Sequence, residues 1–492
     1  MTTATTRRVT IDPITRLEGH GRIEIFLDEQ GNVADAYFQV VELRGFEKFC
    51  EGRPAEELPR ITPRICGVCP GAHHIASTRA LDDLFKVEPP PAAKKLRELY
   101  YCAHMIHSHI AHFYALAAPD FVVGPEADPA QRNILGVVAK VGLEIGGSVI
   151  KHRAYAQRIQ EILGGRPTHS VMGLPGGVSR GLSEEERKQI VEWAKSEVEF
   201  GKLSLKIFDD VVLANKAYVD LILSDGYTMK THYMGLVDEK NRVNFYDGMV
   251  RVVDTTGKEI VKFPARGTAY LEHIAEHVEP WTYLKFPYLK AKGWRGFVDG
   301  QESGIYRVAP LARLNAADGM ATPAAQEAYE KFFATLGGRP VHHTLAMHWA
   351  RLVELLYAAE RLLELALDPE ITSPEIRTLP TVTPSEGAAI IEAPRGTLIH
   401  HYQTDERGLV RGVNLIVATG NNHAAICMSV KSAAQAVIKN GEVREGLLNM
   451  VEMAFRAYDP CFGCATHSLP GEMPLVAHIY DHQGNLVRTV TR

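Results

Sequence analysis

Four of the seven cysteines in this 492-residue chain fall into two C-x-x-C pairs. The first is Cys66–Cys69 in Arg-Ile-Cys-Gly-Val-Cys-Pro-Gly-Ala-His73, and the second is Cys461–Cys464 in Asp459-Pro-Cys-Phe-Gly-Cys-Ala-Thr-His467. Seven cysteines scattered at random would give about 0.1 such pairs, so two together point to metal or redox chemistry. A C-x-x-C turn brings two sulfurs to one side of the chain, which suits two ligands to a single metal. Pro70 follows Cys69 and opens a helical pattern, so Cys69 is expected at a helix N-terminus, where the dipole favours thiolate. Four soft thiolates suit zinc, nickel or an iron–sulfur cluster, and spacing alone does not choose among them. A closed structural zinc site is the plain reading. Against it, the two pairs stand at opposite ends of a large chain, and each is followed by a histidine, His73 or His467. Neither pair follows a βαβ pattern, which counts against thioredoxin-like chemistry. Cys50, Cys102 and Cys427 lack such partners and read as packing residues, and His104, His107, His109 and His112 as core histidines.

The elements that must position these pairs are mainly helical. Leu96–Leu116, Pro129–Leu163, Ser183–Leu223 and Pro323–Leu367 each read as long helices from their apolar periodicity. Arg22–Val41 reads as a β-hairpin around an Asp-Glu-Gln-Gly-Asn turn. From Tyr227 to Arg313 the texture changes to alternating segments with Asp-Gly and Thr-Gly turns, a β-rich insertion in the helical body. Thr378–Ala418 reads as loop and strand, and a last helix spans Asn422–Tyr458 with a break at Asn440–Gly441. The expected fold is mainly α with α+β elements: a long-helix bundle with an N-terminal β-hairpin region and a β-rich insertion. Its expected divisions are 1–60, an N-terminal β region; 61–226, helical with the first pair; 227–313, the insertion; 314–467, helical with the second pair; and 468–492, a C-terminal extension.

Composition narrows the function classes. Hydrophobic residues at 46% and charged residues at 23% are ordinary for a globular protein. A net charge of -5 leaves no polybasic footprint for nucleic acid. No apolar run is long enough to span a bilayer. The polar start, MTTATTRRVTIDP, has no apolar core of a signal peptide, so a cytoplasmic protein is expected.

The two cysteine motifs together resemble those of the nickel–iron hydrogenase large subunit. The resemblance extends over essentially the whole chain, through Asp12-Pro-Ile-Thr-Arg-Leu-Glu18-Gly-His20, Arg44-Gly-Phe-Glu47, Gly164-Gly-Arg-Pro-Thr-His169, Pro175-Gly-Gly and Glu392-Ala-Pro-Arg395-Gly. It implies reversible heterolytic cleavage of hydrogen at a nickel–iron centre whose iron carries carbon monoxide and cyanide. Cys66 and Cys461 would be terminal nickel ligands, and Cys69 and Cys464 would bridge nickel to iron. Glu18 would be the first proton carrier, and Arg395 a base or electrostatic gate over the site, with Asp120 and Asp459 as its carboxylate partners. Glu47, His467 and the Leu415 carbonyl would hold a magnesium (or iron) ion. His73 would donate to a cysteine sulfur, and Thr419 to an iron cyanide. The resemblance also implies removal of the tail by cleavage between His467 and Ser468.

No further cysteine set could hold electron-carrying clusters, so an iron–sulfur small subunit is expected. The insertion and the His-Ser-Leu-Pro-Gly-Glu-Met-Pro-Leu ending resemble the cytoplasmic, cofactor-coupled branch. There, further flavin-, NAD(P)- or ferredoxin-linked subunits take the electrons. Three competitors share parts of this pattern: the related quinone-reducing subunit of respiratory complex I, which lacks the metal cysteines, a hydrogen sensor, and a zinc-stabilised interaction protein. Nickel and iron in equal amounts would exclude the last, and turnover with a dye acceptor would exclude the sensor.

Overall fold

The structure is a computed structural model that describes residues 7–467, 476–480 and 486–491. Its body is a set of long helices, Pro70–Leu84, Pro91–Ala111, Leu143–Gly164, Glu184–Phe208 and Met347–Leu367. Met347–Leu367 packs against both Glu184–Phe208 and Pro91–Ala111, and the latter also against Leu143–Gly164. Local chemistry sets the starts. Ser183 and Glu186 form a reciprocal capping box, and Pro70 and Pro91 occupy first-turn positions where a missing N–H costs nothing. Burial then stabilises them. Leu352, Leu355 and Leu362 are fully enclosed, each contributing about 2 kcal/mol relative to an exposed side chain.

Several long helices expected from periodicity are interrupted. Gly142, at φ 91, splits Pro129–Leu163 into Ile134–Val141 and Leu143–Gly164. Pro323–Leu367 is two helices, Pro323–Thr335 and Met347–Leu367, because Gly337, Gly338 and Pro340 cannot continue the first. The Pro91–Ala111 helix runs on through widened turns, His112–Ala117 and Pro119–Val123, which carry Asp120. The last helix breaks near Asn440–Gly441 into His423–Val437 and Glu445–Arg456.

The N-terminal hairpin, Gly21–Leu27 with Val33–Val40, gains a third strand, Arg7–Ile11, whose short polar sequence gave no strand signal. The insertion holds a four-stranded sheet in the order Tyr306–Arg307, His232–Val237, Met249–Val253, Glu259–Pro264, and a separate pair, Ile274–Val278 with Lys285–Leu289. A three-stranded antiparallel sheet, Glu386–Ala393, Gly396–Thr404 and Val410–Ile416, lies where loop and strand were expected. Met234, Val250 and Phe263 of the insertion share a small core with Ile390 and Ile399 of that sheet.

The two ends of the described chain are stitched together. Glu18 N–H donates to the Pro460 carbonyl (3.3 Å), and Phe462 N–H donates to the Glu18 carbonyl (2.9 Å). Arg44 N–H donates to the Thr466 carbonyl (2.7 Å), and Glu47 N–H donates to that of His467 (3.0 Å). This stitching puts both cysteine motifs in one place.

Candidate metal centre

The four cysteines of the two pairs converge: their sulfurs all lie within 4.8 Å of one another, and all four residues are buried. Cys66 Sγ stands 3.2 Å from Cys461 Sγ, Cys69 Sγ 3.3 Å from Cys464 Sγ, and Cys461 Sγ 2.8 Å from Cys464 Sγ. They form the one such group of His, Cys, Asp or Glu ligands among the described residues. Cys69 caps the Pro70–Leu84 helix as its position before Pro70 predicts, and Cys461 precedes the single turn Phe462–Ala465. The Val68 and Cys69 amides donate to Cys66 Sγ at 3.1 and 3.2 Å.

Burial alone would raise the Cys66 thiol, but hydrogen bonds from the neighbouring thiols of Cys461, Cys464 and Cys69 hold it well below its usual value. Burial and crowding push Cys461 and Cys464 well up. Four thiolates this close repel one another, and bound dications remove that cost, so the donor set fits a thiolate-held metal centre. By contrast burial pushes the Cys50 thiol up to about 12 and raises Cys102 and Cys427, the behaviour of packing residues.

Glu18 reaches the cluster. Its Oε2 accepts from the Cys461 thiol at 2.9 Å and from the Gly463 amide at 3.0 Å. Burial, then the charge at Cys66, lift its carboxyl above the ordinary range, although those two hydrogen bonds pull the other way. Arg395 sits at the tip of a hairpin, Ala393-Pro394-Arg395-Gly396, so the motif is both a turn and a way of aiming a guanidinium. The tip is held by Arg313, which donates to the Ala393 carbonyl at 2.8 Å and pairs with Glu392 and Glu354. Arg395 Nη2 donates to Asp459 Oδ1 at 2.9 Å, and Nη1 reaches Ser108 Oγ at 3.5 Å. Burial works against the charge on Arg395, but Asp459 and the sulfurs of Cys461, Cys69 and Cys66 hold it firmly protonated.

Asp120 does not join this pair, contrary to expectation. It is buried between Arg16 and Arg456 and accepts from Asn449 at 3.0 Å. The reason lies in the fold. Asp120 rides on the widened turns beyond Ala111, which face the end of Glu445–Arg456 and the Thr15–Glu18 segment. There Arg456 donates to Thr15 Oγ1 (2.9 Å) and the Thr15 carbonyl (3.3 Å), and pairs with Glu452.

Glu47, His467 and Leu415 come together. Glu47 Oε1 lies 3.0 Å from His467 Nδ1 and accepts from Leu415 at 2.8 Å, so the Leu415 backbone meets Glu47 through its N–H. Arg44 reinforces the same corner by donating to the carbonyls of Ile65 and Arg64. His73 is fully buried on the helix after Cys69; its Nδ1 faces His400 Nε2 at 3.1 Å, and its Nε2 has no partner among the described residues. Burial holds the His73 ring at about 4, so it is neutral. Thr419 lies in a short helix, Ala418–Asn421, and its Oγ1 accepts from the Cys461 amide at 3.0 Å. His467 is described, whereas Ser468, the other half of the expected cleavage site, lies outside the described residues.

Sequence reading passed over three charged groups near this centre: Arg351, Arg313 with Glu354, and Arg456 with Glu452. Arg351 and Glu354 did carry a signal, two charges set three apart in the otherwise apolar run Met-His-Trp-Ala-Arg-Leu-Val-Glu-Leu-Leu-Tyr.

A family model described as nickel-dependent hydrogenase matches residues 44–135 and 148–467, and one described as HoxL-like matches 8–43. The iron-sulfur subunit of an F420-non-reducing hydrogenase from Archaeoglobus profundus is 53% identical over 98% of this chain and 99% of its own length. The NAD-reducing hydrogenase HoxS subunit beta of Cupriavidus necator is 38% identical over 98% of this chain and 99% of its own. Among solved structures, an NAD+-reducing [NiFe]-hydrogenase in the H2-reduced state superposes with a TM-score of 0.88 at 38% identity, covering 94% of this chain and 100% of that one.

Proposed function

Because this chain belongs to the nickel-dependent hydrogenase family and is the catalytic large subunit of a nickel–iron hydrogenase, we propose how its own side chains serve the reaction. The observation that carries the reading is the four-sulfur cluster built from opposite ends of the chain. Cys66 and Cys461 would be terminal nickel ligands, with Cys69 and Cys464 bridging to an iron that bears carbon monoxide and cyanide. When bound, that centre supplies the Lewis-acidic metal at which hydrogen is split heterolytically.

Glu18 is the proton carrier. It is the carboxylate in hydrogen-bond reach of a ligand thiol, and its raised carboxyl can both take and release a proton near neutrality. Arg395 lends fixed positive charge beside the sulfurs, and Asp459 orients it. Asp120 serves at one remove: through Arg16 and Arg456 it holds the Thr15–Glu18 segment against the Cys461 loop. His73 Nε2 is free to donate to a cysteine sulfur, and the Thr419 hydroxyl hydrogen to a cyanide. Glu47, His467 and the Leu415 carbonyl hold a magnesium (or ferrous) ion that locks the C-terminal motif to the Arg44–Glu47 corner. Cleavage between His467 and Ser468 would complete maturation.

The three remaining cysteines are buried apart from the cluster. An iron–sulfur small subunit must therefore take the electrons, followed by flavin-, NAD(P)- or ferredoxin-linked subunits. The likeness to the NAD-reducing enzyme of Cupriavidus necator supports that branch and a cytoplasmic location. No described helix is long and apolar enough to cross a membrane.

Metal analysis tests the reading. The purified enzyme should hold nickel and iron in equal amounts and reduce a dye under hydrogen, and Cys464→Ser should lose both nickel and turnover because a hydroxyl is a poor bridging ligand. The same change at Cys102 or Cys427 should leave nickel in place. Zinc alone, or a fully loaded and active Cys464→Ser protein, would overturn it.

A further inference from the structure

Arg351 lies on the Met347–Leu367 helix and is completely enclosed. A buried guanidinium ordinarily answers to carboxylates with several hydrogen bonds, as Arg313 does: it donates to both Glu354 oxygens at 2.6 Å and to Glu392 at 2.8 Å. Arg351 makes one, from Nη2 to the Ala457 carbonyl at 3.0 Å. Its Nε and Nη1 have no partner among the described residues, and neither has Asp459 Oδ2, although Oδ1 is taken by Arg395. The carboxylate whose charge acts most on Arg351 is Asp459, and after Arg395 the cation that acts most on Asp459 is Arg351. Two free donors and one free acceptor of opposite charge thus share one buried space beside the cluster.

The backbone there is short and constrained. Ala457 closes the Glu445–Arg456 helix, Asp459 takes a left-handed φ of 54, and Pro460 leads directly into Cys461. Arg351 therefore touches the start of the link that delivers Cys461 and acts on the side chain that aims Arg395. For stability alone it is a poor choice. An enclosed charge with one hydrogen bond costs more than it returns, and a methionine of similar length would fill the space without that cost.

We propose that Arg351 is a positioning residue for hydrogen turnover: acting through Asp459 and the Ala457 carbonyl, it fixes how the Arg395 guanidinium is presented to the four sulfurs. The proposal rests on the roles given to Arg395 and Asp459 above. R351M, R351K, D459N and the R351M/D459N double variant, made in the assembled enzyme with nickel content measured first, test it. R351M should keep its nickel and a thermal midpoint no lower than the parent's. Its kcat should fall about ten- to hundredfold, the scale of a misaimed catalytic group, with KM for hydrogen little changed. R351K should recover most of that loss, and the double variant should be no slower than D459N alone.

A second readout needs no turnover. In unfolding of the nickel-free full chain, D459N should be destabilising and R351M added to it should restore part of the loss, because an uncompensated guanidinium has been removed. Additive losses in kcat, or equal losses in R351M and R351K, overturn the proposal. If R351M does not take up nickel, R351Q replaces it in the same cycle with the same two outcomes. A D459N enzyme with parental kcat would fell the reading of the Arg395–Asp459 pair itself, and this proposal with it.

Discussion

A Cβ on Gly463 would stand 2.6 Å from Glu18 Oε1, so only glycine there lets the carboxylate approach both the Cys461 thiol and the Gly463 amide. Gly19, at φ 91, lies against the same amide from the other side, and its own Cβ would come within 2.7 Å of it. The proton step is thus set by two glycines as well as by the acid. Glu18→Gln keeps shape and metals but removes the titrating group, so hydrogen–deuterium exchange with solvent should fall about 10²- to 10⁴-fold. Gly463→Ala should lower the same exchange by displacing the carboxylate while leaving the nickel content intact. Normal exchange in Glu18→Gln would move the proton route elsewhere. At this scale legibility followed rarity. Cysteines are few, so two C-x-x-C pairs stood out from spacing alone, whereas Glu18 is one of many glutamates and was visible only through its motif. Arg351 was out of reach, because whether a charge on a helix is buried depends on what packs against it.

The elements that carry these residues are held by a buried ion network. Asp120 on the turns after Ala111, Arg16 beside the Glu18 segment, and Arg456 and Glu452 at the end of Glu445–Arg456 join three parts of the chain that share no secondary structure. Glu452 Oε1 also accepts from the Thr15 amide at 2.8 Å. Taking one carboxylate from such a set leaves two enclosed guanidiniums short of charge. Asp120→Asn should therefore cost about 3–5 kcal/mol in denaturant unfolding, because breaking a buried pair strands its partners. Had Asp120 paired with Arg395, the main loss would be in turnover. Unchanged stability in Asp120→Asn would overturn the clamp. The helices themselves were readable because apolar periodicity and capping are local, and their breaks at Gly142 and Pro340 lay in view as residue types. The third N-terminal strand was not: Arg-Arg-Val-Thr-Ile is polar and short, and it is a strand because Gly21–Leu27 offers it a free edge.

At the scale of the whole chain the question is what the tail does once the ends have met. Thr466 and His467 are buried, the Glu47 amide already donates to the His467 carbonyl, and the His467 ring already faces Glu47. The inward position of His467 is thus reached with the tail attached, so cleavage is not needed to draw it in. Cleavage would make that position hard to leave, by removing a chain whose freedom pulls outward on a buried residue. The tail is also poorly tied to the rest. Its strands, Val476–Tyr480 and Leu486–Thr491, pair antiparallel with each other in a two-stranded sheet of their own. An isolated pair of strands is marginally stable, so losing it should cost the body little. Intact-mass measurement of nickel-loaded, active enzyme should accordingly find a chain ending at His467, with a thermal midpoint close to that of the nickel-free full chain or above it. A chain blocked at Ser468, for example by Ser468→Pro, should accumulate uncut. An active, nickel-loaded species still ending at Arg492 would show that the closed corner of Glu47 and His467 suffices by itself, and that the tail is a permanent part of the protein.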